Sequence, residues 1–243
     1  MLRRRTDRLE KIAAFCALGV AAVLALAGTV QDRFAGVATN EMWQASEDGG
    51  ASMRQFNGKL LFSAAPGSDQ PGFAGLICTR YALDCTKPWS LSFDYALKQA
   101  RPTGGATTGP IFLLGFSTDD EGSPFEHVLA IQAYRSSRGA FVGRIDSVEG
   151  GDIVGPQTLA SIPAVGTMVI AYTPSRDRLQ IVVNGRNVAT LNAFRAGDSL
   201  GTTALFGLGC LTQRGTGRCA YTDGVQLDNF QATGPGVIDA PWH

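Results

Sequence analysis

With 243 residues, and 21 Lys and Arg against 21 Asp and Glu, the chain is long enough for one large domain and carries no formal net charge. No basic stripe runs through it, which argues against a nucleic-acid partner. Its 30 glycines are dispersed as a turn-rich β protein requires, no repeat is evident, and no Pro/Ser-rich linker divides the roughly 210 residues that follow the N-terminal stretch.

The N-terminus is the most informative stretch. Arg3, Arg4, Arg5, Arg8 and Lys11 predict a basic cytoplasmic tail over residues 1–11. From Ile12 to Val30 no charge occurs. As helix, at about 1.5 Å per residue, that run spans roughly the 30 Å hydrocarbon core of a bilayer. It predicts a single transmembrane helix over 12–31, a linker over 32–42, and an exported domain in the periplasm of a bacterium, anchored to the inner membrane. Ala13, Ala17, Gly19 and Ala21 give the helix a small-residue surface suited to close packing against another helix. The expected partners are therefore the lipid bilayer and integral membrane subunits of a larger complex. The competing reading is a signal peptide cut after Ala27, in the small-x-small triplet Ala25-Leu26-Ala27.

Export agrees with the cysteines. Cys16 lies in the span, and the other four form two close pairs, Cys78 with Cys85 and Cys210 with Cys219. An even count in an oxidising compartment reads as disulfides, and local pairing is the expectation among the three connectivities, with four reduced buried thiols as the alternative. Neither spacing is that of a zinc site.

Strand signals follow in order. The turn pair Asn57-Gly58 precedes an apolar run, Lys59 to Ser63. Trp89 to Tyr95 alternates apolar and small polar residues, which buries one face. Ile111 to Phe116 is continuously apolar. Val128 to Tyr134 and Ala140 to Ile145 bracket Ser136 to Gly139 and predict a hairpin. Thr167 to Tyr172 is a strand, and Arg178 to Val183 and Asn187 to Leu191 flank Asn184-Gly185, a type I′ turn signal. Ala204 to Leu208 and Val225 to Ala232 close the series, and residues 234–243 form a Pro/Gly-rich tail. Many short strands with Gly and Asn turns predict an all-β sandwich.

The segments Phe56 to Phe62, Leu91 to Tyr95, Leu179 to Arg186 and Leu227 to Thr233 resemble the concanavalin A-like lectin/glucanase superfamily in its laminin-G-like branch. The resemblance covers about residues 43 to 235, and the predicted sandwich runs over 43–233. It implies a jelly-roll β-sandwich whose first and last strands are neighbours. It does not imply one function, because the superfamily includes lectins, glycosidases, adhesion modules and scaffolds.

Glycosidases of that superfamily carry a Glu-x-Asp-x-x-Glu strand motif. The nearest segment here, Arg144 to Glu149, offers Asp146 and Glu149 at the right spacing but puts Arg144 where the nucleophile belongs. A Ser/His/Asp set would have to be built on His127, and Gly115 to Asp119 lacks the second glycine of a nucleophile elbow. No catalytic residues are therefore assigned, and the chain is expected not to be an enzyme. Calcium is the one candidate cofactor, through Asp119, Asp120 and Glu121 with Glu126 nearby, or through Asp228 with Asn229. Trp43, Trp89, Phe125, Tyr134 and Trp242 are the large aromatics available for sugar stacking, and Tyr134 and Trp242 are the candidate glycan contacts. The leading expectation is a non-catalytic accessory subunit of an inner-membrane complex. A glycan-binding module is the alternative, and a glycoside hydrolase with a degenerate or unrecognised site is the second alternative.

Overall fold

The computed structural model describes residues 28–36, 40–48, 51–64, 72–97, 111–115, 127–135, 141–149, 152–192, 203–212 and 221–241. In chain order the strands are β1 (Thr29–Asp32), β2 (Trp43–Asp48), β3 (Ala51–Phe56), β4 (Lys59–Ala64), β5 (Gly72–Cys78) and β6 (Tyr81–Asp84). Next come β7 (Trp89–Leu97), β8 (Ile111–Gly115), β9 (His127–Arg135), β10 (Phe141–Glu149), β11 (Asp152–Ser161) and β12 (Val165–Thr173). The last six are β13 (Arg178–Val183), β14 (Arg186–Asn192), β15 (Thr203–Ala204), β16 (Gly207–Thr212), β17 (Tyr221–Thr233) and β18 (Val237–Asp239). The all-β expectation holds.

One sheet has eight strands in the order β14-β13-β12-β7-β17-β4-β3, with β1 also beside β17. Its alternation is plain in the sequence. Trp89, Leu91, Phe93, Tyr95 and Leu97 of β7 are buried, while Ser90, Ser92, Asp94 and Ala96 between them lie on the other face. Strands β12 and β13 repeat the pattern through Met168, Ile170 and Tyr172 and through Leu179, Ile181 and Val183. Strand β17 switches phase: Val225 and Leu227 are buried, then Phe230 and Ala232. The register with β7 shifts between Asp228 and Gln231, and Asn229 sits at φ 50°, so a bulge inserts the residue that changes the phase.

A second layer is built from β16-β5-β2 and β11-β10-β9-β8, with β8 running beside β16. Leu76, Cys78 and Leu208 of this layer join the buried face of the eight-stranded sheet in one hydrophobic cluster. The two Asn-Gly hairpins form as expected, with Asn57 and Gly58 at φ 50° and 71° and Asn184 and Gly185 at 49° and 76°. The β9–β10 hairpin also forms. The strand expected over Ala204 to Leu208 is instead divided between β15 and β16, because Phe206 turns fully into the core and its carbonyl accepts the Cys78 N–H at 2.9 Å.

Both ends of the domain extend past the boundaries expected from sequence. Residues 29–32 are not the end of a helix or the start of a linker: β1 pairs antiparallel with β17, Thr29 opposite Thr233. The segment beyond it is held rather than loose. Asp32 accepts the Phe34 N–H at 2.7 Å and the Trp43 indole N–H at 2.8 Å, and Phe34 and Met42 are buried. Trp43 in turn packs edge-on against Phe230 and Phe206, at 5.1 and 6.1 Å between ring centroids. The tail also folds: β18 pairs with β6, whose open edge supplies the hydrogen bonds that its composition could not. Residues 1–27, with Ala13, Ala17, Gly19 and Ala21, lie outside the described residues. Among the described residues no helix is long and apolar enough to cross a membrane.

The expected Cys78–Cys85 bridge is not formed. Both are free thiols, 0% and 4% exposed. The chain leaves β5 after Cys78 and enters a different sheet with β6, so the two sulfurs acquire different surroundings. Cys85 Sγ lies 3.8 Å from the Leu83 carbonyl, and Cys78 is near the backbone of Tyr81 and Arg80. Cys210 lies in β16 opposite Ala74, and Cys219 lies outside the described residues.

Candidate functional site

Strand β7 carries Asp94 on the face turned away from the sandwich interior, between two partners. Thr167 of β12 is opposite it on one side and Asp228 of β17 on the other. The three strands, with Lys59 at the start of β4, line a pocket of about 310 Å³ that also includes Val165, Gly166 and Gln226. That volume is at the lower end of small-ligand sites.

The polar atoms are tightly organised. Thr167 Oγ1 donates to Asp94 Oδ1 at 2.5 Å, and Asn229 Nδ2 donates to Asp94 Oδ2 at 2.7 Å. The Asn229 N–H donates to Asp228 Oδ1 at 2.7 Å, so the bulge residue ties both carboxylates together. From the other side, Asn184 of the β13–β14 turn accepts the Thr167 N–H at 2.8 Å, and its own N–H donates to the Thr167 carbonyl at 3.0 Å. A side chain at Gly166 would put Cβ 2.6 Å from Asn184 Oδ1, so the glycine is what admits this latch. Below the pocket the Tyr95 hydroxyl donates to the Pro163 carbonyl at 3.0 Å, and burial pushes it up to about 12, which keeps it a donor. The site is therefore a fixed array of carboxylate acceptors beside the Thr167 hydroxyl, with exposed Val165 as an apolar wall.

Of the residues singled out in the sequence, only Asp228, with its neighbour Asn229, reaches this pocket. Asp94, Thr167, Gln226 and Lys59 were not foreseen: an Asp in a Ser/Ala-lined strand face carries no local signal. Asp119, Asp120, Glu121, Glu126, Phe125 and Trp242 lie outside the described residues. Trp43 and Trp89 are core residues, 5% and 3% exposed, and offer no ring face to a sugar. Tyr134 lies in β9 opposite Val142, in the other layer. Among the described residues no group of three His, Cys, Asp or Glu is placed to hold a metal ion.

The β9–β10–β11 hairpins make a second grouping. Strand β10 is in unbroken register with β9 from Phe141 to Glu149, with Asp146 opposite Ala130. The register sets Glu149 opposite both His127 and Asp152, a row of three titratable residues across three strands.

No protein-family model matches the chain, and no curated protein matches it in sequence. Solved structures do match in fold. The carbohydrate recognition domain of Emp47p superposes with a TM-score of 0.56 at 13% identity, covering 85% of this chain and 94% of that one. An endo-1,3-β-glucanase from Streptomyces sioyaensis gives 0.60 at 15% identity, over 86% and 96%. The seed lectin of Lotus tetragonolobus gives 0.56 at 11%, over 85% and 98%.

Proposed function

We propose that this concanavalin A-like jelly roll is a non-catalytic glycan-binding module, displayed on the outer side of a bacterial inner membrane. The observation that carries the reading is the pocket on β7, β12 and β17. Carboxylates and a hydroxyl held rigidly by their neighbours suit the hydroxyls of a sugar, whose donors and acceptors must be met in fixed geometry. The fold likeness to a carbohydrate recognition domain and a seed lectin supports it. It therefore takes precedence over the accessory-subunit expectation, for which membrane subunits would be the partners. Binding of the detergent-purified full chain to a glycan array tests it. Binding should be lost in Asp94→Asn and Thr167→Val, and an array on which no glycan binds would sink the reading.

A second reading, a glycoside hydrolase, is supported by the fold likeness to an endo-1,3-β-glucanase and by the ladder positions of His127, Glu149 and Asp152, which meet across β9, β10 and β11. Release of reducing ends from β-glucans by the full chain, abolished in Glu149→Gln, would establish it. Absence of release leaves the binding module.

A further inference from the structure

The pocket brings two carboxylates together beside one lysine. Asp94 and Asp228 are directly opposite across the β7–β17 ladder, where like charges are destabilising at Cβ separations of roughly 4.5–5.5 Å. Among the described residues neither carboxylate has an ion-pair partner, and Lys59 lines the pocket without pairing with either. A third polar group reaches the same space. Gln226, 8% exposed, lines the pocket and adds an amide carbonyl to its acceptors.

We propose that the pocket takes a primary ammonium group, and that the glycan it selects is one bearing free amino sugars. The inference rests on the glycan-binding reading. An ammonium group brings three N–H donors and one positive charge. Asp228 Oδ2, the second lone pairs of the Asp94 oxygens and the Gln226 carbonyl oxygen are acceptors available to it. The same set suits calcium poorly. That ion takes six to eight oxygens, and among the described residues no three acidic groups come together to hold it. Charge-assisted hydrogen bonds are roughly twice as strong as neutral ones, so an acetylated amine, neutral and with one donor, should bind much less well.

The test compares glucosamine tetramer with N-acetylglucosamine tetramer by calorimetry on the full chain in mild detergent. The glucosamine oligomer should bind at least about tenfold more tightly, a preference that added salt weakens. Asp228→Asn should abolish the preference. Lys59→Gln, on an exposed residue and so safe for folding, should increase it by removing the opposing charge. Equal binding of the two tetramers would overturn the ammonium inference and leave the glycan reading standing, as would failure of both tetramers while neutral glycans bind on the array. Binding of calcium alone, raising Tm in the wild type but not in Asp228→Asn, would overturn it in favour of a metal site. Failure of every glycan would overturn both.

Discussion

Asp32 and Asp94 are the same residue type in the same sandwich, and they do opposite things. Asp32 is 9% exposed and spends both oxygens inward, on the Phe34 N–H and the Trp43 indole. Its donors belong to the core cluster that closes the N-terminal segment against β17. Asp94 is also doubly bonded, to Thr167 and Asn229, but its donors belong to a surface pocket and its opposite residue is another carboxylate. A carboxyl whose neighbours complete its shell fixes the fold. One held rigidly against a like charge is prepared for something from outside.

That contrast predicts where substitutions will hurt stability and where they will hurt binding. The largest effect should come from Asp32→Ala, which strands a backbone N–H and an indole N–H in the core. At about 1–3 kcal/mol for each of the two buried unsatisfied groups, the loss should be roughly 2–6 kcal/mol. For a domain of this size that is a fall in Tm of roughly 4–24 °C. Trp43→Phe keeps the ring packing but leaves one Asp32 oxygen unmet, and should cost about 1–3 kcal/mol. The double variant should cost less than the sum of the two, because both remove one interaction. Strict additivity in thermal melts would show that the hydrogen bond does not join them. Asp94→Asn should leave Tm within a few degrees while abolishing glycan binding. A large loss of stability there would make Asp94 a second Asp32. Gly166→Ala lies between the extremes. It must displace Asn184 from the Thr167 N–H, at about 1 kcal/mol, and should weaken binding by loosening the pocket wall.

The same contrast explains what could be read from the chain. Strands β7, β12 and β13 were legible because one buried face imposes a period of two, and the Asn-Gly turns were legible because they need φ above zero. Strand β5 was not, since Gly72 and Gly75 dilute its apolar pattern. Strand β11 was hidden by Gly155 and Pro156, which its place at a sheet edge tolerates. Strands β1 and β18 are short and borrow their stability from β17 and β6. Of the pocket, only Asp228 and Asn229 drew notice, as neighbours in sequence. Their pairing with Asp94, 134 positions earlier, exists only through the ladder, and no local pattern encodes it.

The smallest expected effect concerns the thiols. Burial pushes both Cys78 and Cys85 from the ordinary 9.0 up to about 11. The folded state thus holds these protons more tightly than the unfolded chain does. The stability this contributes is fully present below about pH 9 and is lost as pH rises toward 11, where the unfolded state has shed protons that the native state still binds. Thermal melts should show that alkaline slope, and it should flatten in Cys78→Ala/Cys85→Ala. A native chain at pH 8 should resist alkylation at both sites, because a buried neutral thiol is a poor nucleophile. Denaturation without a reductant should then expose both to labelling, read by peptide mass spectrometry. Failure to label until a reductant is added would mean that the two are bonded in solution, and that the short spacing, not the change of sheet between β5 and β6, governs their chemistry.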